Sequence, residues 1–201
     1  MIIENLFPIP IGMLKYEDGI TAAQESFLLK QDQRPNEGNT SSVDKYILNN
    51  VKMKNLKAFL EKSIDEYFHT TLRPRNEAKL RITQSWLNWT KPGQHHHKHA
   101  HPNSFISGCY YVNANKETDK IFFYRREHRY INFSTNDWNH YNSDSWWYPV
   151  GSGDIILFPS DLAHMVETVG GEDTRVSLAF NTFPVGYIGE ENELTALHLE
   201  K

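Results

Sequence analysis

From Val51 to Thr70 the apolar residues Met53, Leu56, Leu60, Ile64, Tyr67 and Phe68 recur at three- and four-residue steps, with lysines and acids filling the gaps. That period lines one side of a helix and predicts an amphipathic helix over 51–70 whose apolar face packs on the rest of the chain. A shorter helix is predicted over 20–31. Upstream, Leu6-Phe7-Pro8-Ile9-Pro10-Ile11-Gly12 is apolar but interrupted by two prolines. Proline cannot donate to a hydrogen-bond ladder, so this stretch predicts an edge strand and not a helix. Residues 33–42, carrying Pro35, Asn36, Gly38 and Asn39, read as a loop.

Beyond Pro74 the period shortens. Leu80 to Trp89, Phe105 to Val112 and Lys120 to Tyr124 are β-branched and aromatic, which predicts strands. Asp154 to Phe158 follows a Gly151-Ser152-Gly153 turn, and Arg175 to Phe183 follows Gly170-Gly171, adding two more. Short strands in succession, preceded by helices, predict a mainly β fold: a rolled sandwich with helices braced on one outer face. The chain reads as a single domain over 1–201, with helical support over about 1–75 and the β core over about 80–185. Residues 125–148 break the pattern, setting Tyr130, Phe133, Trp138, Tyr141, Trp146, Trp147 and Tyr148 among Asn, Ser and Asp. They read as a long surface loop pinned by aromatics, or as a flap over a pocket mouth.

Composition narrows the function classes. A net charge of −4 with scattered Lys and Arg forms no basic stripe, so phosphate-led nucleic-acid binding has no support. The single cysteine, Cys109, has no internal disulfide partner, which agrees with a reducing compartment. Met1-Ile2-Ile3-Glu4 does not open a secretory leader, and no apolar run approaches a membrane span. A soluble, cytoplasmic protein without membrane contact is the expectation.

The chemistry concentrates in the histidines. Five of the ten fall between His95 and His101, and on an extended segment the odd-numbered four would share a face. A hydrated turn that takes up metal adventitiously is the plain reading of such a tract. His164, placed after a strand and the Phe158-Pro159-Ser160 turn, changes this, because a returning imidazole can complete a facial set with His99 and His101. Nitrogen ligands with open positions opposite suit iron, copper or zinc. Arg175 follows eleven residues later and Ser177 two beyond it, on the same strand face. Arg175 is either an anchor for an anionic ligand or one half of a surface salt bridge.

Together these pieces resemble the iron(II)- and 2-oxoglutarate-dependent oxygenases, in particular the prolyl-hydroxylase-like branch with bacterial and phage members. The resemblance is carried by Trp86-x-Asn88, Pro92-Gly93, His99-x-His101-Pro102, Ser107-Gly108-Cys109-Tyr110-Tyr111-Val112, Gly153 to Ser160, His164 and Arg175-x-Ser177-x-Ala179-Phe180-Asn181. It implies a double-stranded β-helix (a cupin-like jelly roll) that uses iron(II), 2-oxoglutarate and dioxygen to hydroxylate a peptidyl, for example prolyl, or small amino-acid-like substrate. His99 and His164 would match the two histidine ligands. Arg175 would grip the far carboxylate of 2-oxoglutarate, with Tyr111 and Ser177 assisting and Asn88 and Asn181 lining the pocket. The usual pattern has Asp or Glu two residues after the first His, and His101 stands there instead. The set His99, His101 and His164 is the first reading. His97 in place of His101, or Asp161 turned inward, are the alternatives.

The same letters also approach the cupin metal motif, with Gly93, His99, His101 and Gly108, although Phe105 falls where an acid belongs. A three-histidine cupin dioxygenase without 2-oxoglutarate is therefore a competing reading. A non-catalytic metal-binding jelly roll is another.

Overall fold

The computed structural model describes all residues except 76, 127–130, 132 and 201. In chain order the elements are β1 (Gly12–Lys15), α1 (Ala22–Leu29), β2 (Gln33–Asn36), β3 (Asn39–Ser42), α2 (Lys54–Thr71), β4 (Lys79–Thr90), β5 (His96–His99), β6 (Ile106–Asn113), β7 (Lys120–Tyr124), β8 (Ser145–Pro149), β9 (Asp154–Pro159), β10 (His164–Val166), β11 (Arg175–Ile188) and β12 (Leu197–Leu199). They form two sheets. The larger runs β1-β9-β6-β11-β4-β3-β2, with β12 beside β11, and the smaller runs β5-β10-β7-β8. This is the mainly β, double-stranded β-helix architecture with flanking helices; the sheets do not close into a barrel.

The larger sheet is buried on both faces, and alternation sorts its residues between two cores. Leu87, Trp89, Tyr110, Val112, Leu178 and Phe180 point outward and pack with Leu28 of α1 and Leu56, Leu60 and Ile64 of α2. The heptad-like spacing read along 51–70 is thus the stripe that braces the sheet. α1 is fixed at its start by a capping box, Thr21 accepting from the Gln24 amide while the Gln24 side chain accepts from the Thr21 amide. The sheet comes close to itself at Gly108, where a Cβ would lie 2.3 Å from the Phe180 ring. Cys109, Tyr111, Ile156 and Phe158 point the other way and meet Ile121 and Phe123 of the smaller sheet, forming the inner core.

Three sequence expectations change. β1 begins at Gly12, whereas Leu6 and Phe7 are exposed outside it. Pro8 and Pro10 lack the amides that would extend the pairing with β9. Residues 33–42 are not a loop but the β2–β3 hairpin, which continues the larger sheet through Thr40↔Trp89 and Ser41↔Asn88. Gly38, at φ 83°, makes its tight reversal. The first 75 residues therefore supply strands to both edges of the sheet as well as the bracing helices. Finally, the end of the 125–148 segment is β8, paired with β7 from Ser145 to Pro149. Among the described residues before it, Arg125 ties the base of the segment, donating to the carbonyls of Ser143, His140 and Tyr141. Trp146 stands edge-on to His140, and Phe133 and Trp138 are exposed. Tyr130, named among the aromatics, lies outside the described residues. Among the described residues no helix is long and apolar enough to cross a membrane.

Candidate metal and co-substrate site

β5 and β10 run antiparallel with His99 opposite His164. The chain leaving β5 is held to the strand-turn after β9 by the His101 amide, which donates to the Ser160 carbonyl at 2.8 Å. That turn is itself fixed by buried hydroxyls, Ser160 bonding Ser104 at 2.7 Å and Ser107 at 2.8 Å, with Ser107 donating on to Asn181. Asn181 thus supports the turn through this network. The result brings His99, His101 and His164 together, with one ring nitrogen from each inside 4.8 Å of the others. The Nε2 atoms of His101 and His164 are 3.3 Å apart.

Two of these rings are oriented by the backbone. Nδ1 of His99 is 2.7 Å from the His97 carbonyl and Nδ1 of His164 is 3.0 Å from the Leu162 carbonyl. A carbonyl only accepts, so Nδ1 carries the hydrogen in both and Nε2 presents its lone pair, the arrangement a metal-ligating imidazole requires. Burial, reinforced by the neighbouring imidazoles, keeps the rings neutral: His164 is pushed down to about 3 by burial and by His99, and His101 to about 4 by burial and by His99. His99 is lowered as well, mainly by burial. Phe158 lies against His164, and Trp86 lies beside His101 with ring centroids 5.6 Å apart.

The two alternative ligands fare differently. Asp161 faces away: its side chain is 71% exposed and ion-paired to Arg126 at 2.6 Å. The alternative of an inward Asp161 carboxylate does not hold in this fold, because Arg126 supplies a cation that keeps it outside. His97 stays near His99 but directs Nδ1 toward the Glu37 carbonyl at 3.4 Å. His96 was missed by the parity argument. Its ring stacks on His99 at 4.6 Å, although an odd separation along a regular strand would put the two on opposite faces. Between the pairs His164↔His99 and Val166↔His96, β5 has one residue more than β10, and this bulge resets the alternation. No local signal in the sequence marks it. His96 is depressed to about 2, by burial first and then by His99, His97, His164 and Arg175. His95 instead covers the Gly38 turn.

Arg175 is only 3% exposed. The surface salt-bridge reading is thereby excluded. It opens β11 opposite Thr90 of β4, and its Nη2 donates to the Tyr111 hydroxyl at 3.4 Å, while Nε and Nη1 are buried without a partner. Ser177, two residues on, is paired with Asn88 on one side and Tyr111 on the other, so these three side chains form a row across β4, β11 and β6. Asn88 Oδ1 is also buried and unpartnered. Cys109 belongs to the same inner surface, where burial raises its thiol and the Arg175 charge, with Ser177 and Tyr111, offsets this in part. Residues 84–181, the stretch that holds all of these groups, match the family described as "Putative 2OG-Fe(II) oxygenase".

Over this segment the chain is similar to the 2OG-Fe(II) oxygenases. The enzymes of that family use iron(II) and 2-oxoglutarate, with dioxygen as the second co-substrate. The fold agrees. A 2OG-Fe(II) oxygenase family oxidoreductase from Burkholderia pseudomallei is similar at 13% identity and a TM-score of 0.59, over 86% of this chain and 84% of that one. A prolyl-4-hydroxylase from Pseudomonas putida gives 11% and 0.56, over 87% and 92%. HygX from Streptomyces hygroscopicus, solved with nickel, 2-oxoglutarate and hygromycin B bound, gives 12% and 0.56, over 87% and 83%. No curated protein sequence matches the chain. The donor set fits the family's cofactors: three neutral imidazoles, two of them with their lone pairs oriented by the backbone, suit iron(II), and a buried guanidinium lacking an anion suits a dicarboxylate.

Proposed function

We propose that this protein is an iron(II)- and 2-oxoglutarate-dependent dioxygenase that hydroxylates a peptidyl or small amino-acid-like substrate. His99, His101 and His164 would hold the metal, and Arg175, with Tyr111, Ser177 and Asn88, would hold the co-substrate. The observation that carries this reading is the orphaned guanidinium. A charge sunk into a sandwich with two unpartnered nitrogens costs several kcal/mol unless an anion arrives, and a planar fork matches a carboxylate in bidentate fashion. The three-histidine cupin reading assigns Arg175 no task. The amino-acid-like substrate is supported by the prolyl-hydroxylase-like motif order.

When bound, iron(II) with 2-oxoglutarate and dioxygen supplies oxidative decarboxylation of the co-substrate to succinate, coupled to oxygen insertion into a substrate C–H bond. The chain contributes geometry and exclusion of water. The Leu162 and His97 carbonyls keep the imidazole protons on Nδ1. Phe158 and Trp86 shield the ligand ring edges. Three neutral imidazoles would leave a bound ion its full charge, which would strengthen the hold on a dianionic co-substrate. Arg175 would hold the far carboxylate of that molecule and so orient it in the site.

Anaerobic titration of the iron-loaded protein with 2-oxoglutarate tests this. A visible charge-transfer band should grow to saturation in the native protein and be lost in Arg175→Ala at the same concentrations. A native protein that binds iron yet develops no band would overturn the reading.

A further inference from the structure

The polar row that carries Asn88, Ser177 and Tyr111 does not stop at β4. Ser41 of β3 pairs with Asn88, and Arg34 of β2 pairs with Ser41, so paired residues on one face run unbroken from Tyr111 to Arg34. Nε of Arg34 approaches Ser41 Oγ at 3.5 Å, which confirms that the guanidinium lies on that face. Lys45 joins it there: its ammonium donates to Ser41 Oγ at 3.2 Å and to the Ser42 carbonyl. Two residues along from Arg34, Asn36 bonds the His96 ring at 3.3 Å, and His96 stacks on His99. The hairpin therefore reaches the imidazole cluster through Asn36 and His96.

Two cations share one serine hydroxyl here, and among the described residues neither forms an ion pair. The terminal nitrogens of Arg34 likewise have no hydrogen bond among the described residues. Lys45 is held below its ordinary value by burial and by the charge of Arg34, with Asp44 offsetting only in part. Two like charges pressed together on a wall of donors are a receptor lacking its anion. β2 stands three strand intervals from β11, about 14 Å at ordinary spacing. An oxyanion on Arg34 and Lys45 is thus separated from a co-substrate on Arg175 by enough room for the reacting carbon of a small molecule.

Resting on the function proposed above, we infer that the primary substrate carries an oxyanion, a carboxylate or a phosphate, that docks on Arg34 and Lys45. The substrate enters with its charged end on the hairpin and its reacting end toward the imidazoles.

The test uses zinc-loaded, 15N-labelled full-length protein saturated with 2-oxoglutarate, so that Arg175 is already engaged. Acetate and methyl phosphate are titrated separately while the amide signals of Arg34 and Ser41 are followed. At least one anion should shift both signals along a saturable curve, and Arg34→Gln/Lys45→Gln should weaken that binding by tenfold or more while leaving 2-oxoglutarate affinity unchanged. A response to acetate alone identifies a carboxylate, and to methyl phosphate alone a phosphate. No saturable response, or equal affinity in the double variant, overturns the inference. Should 2-oxoglutarate itself fail to bind the native zinc form, the co-substrate reading fails separately, and the anion response at Arg34 is judged in the zinc form alone by the same criteria.

Discussion

Arg175 carries a full charge into the sandwich with the Tyr111 phenol as its one hydrogen-bond partner among the described residues, so its removal should act in opposite directions on stability and on binding. Arg175→Met deletes an uncompensated buried charge. The ligand-free variant is expected to melt at or above the native temperature, while 2-oxoglutarate binding falls by about 100-fold, the scale of a lost charge-assisted pair. Calorimetric titration beside thermal melts checks both; a variant that is destabilised yet still binds refutes the assignment. At the metal, His101→Ala should cut iron affinity at least tenfold and His97→Ala should leave it intact, whereas His101→Asp, which restores the family's usual carboxylate, should retain iron as measured by metal content after gel filtration. The imidazoles also set a pH dependence. His164, His101 and His96 lie near 3, 4 and 2 in the folded chain against an ordinary 6.5. The unfolded chain therefore takes up protons that the folded chain refuses, and stability falls with falling pH. Metal-free protein should keep a constant melting temperature above about pH 6.5, then lose it steadily toward pH 4. A flat profile across that window would mean these rings are solvated.

β5 and the β2–β3 hairpin are the elements that convert a histidine-rich tract into a site. The helices and long strands were legible because each satisfies a local rule: a 3.6-residue stripe over α2, aromatic and β-branched runs in β4, β6, β7, β9 and β11. The hairpin was not, since Pro35, Asn36, Gly38 and Asn39 are as typical of a free loop as of a tight turn. What makes it sheet is the pairing of Thr40 and Ser41 with Trp89 and Asn88, nearly fifty residues away. Gly38 is where that element is most exposed to damage. At φ 83° a side chain is strained, and an added Cβ would sit 2.6 Å from the His95 carbonyl. Gly38→Ala should therefore cost about 1–3 kcal/mol, read by denaturant unfolding, and should weaken metal binding by disturbing the turn that supports His95 and His96.

On the proposed assignment, ligand binding and folding would be coupled across the two sheets, because the metal would tie β5 to β10 and the co-substrate would reach β11. Iron or zinc together with 2-oxoglutarate, each at about 100 times its dissociation constant, should stabilise the native state by about 2.7 kcal/mol per ligand. At 2–4 °C per kcal/mol for a chain of this size, melting should rise by about 5–10 °C for each, with the 2-oxoglutarate increment dependent on metal. Scanning calorimetry of the four ligand states decides it, and a 2-oxoglutarate increment that ignores the metal would separate the two sites. The order His99, His101, His164 and Arg175 and the type of the main elements were readable along the chain, since spacing and period are local properties. The structure alone decided that Asp161 is claimed by Arg126, that a bulge turns His96 onto His99, that Arg175 lies buried and unpaired, and that Arg34 ends a row beginning at Tyr111. Each of those depends on which distant strands become neighbours and in which register, and that is settled only when the two cores close.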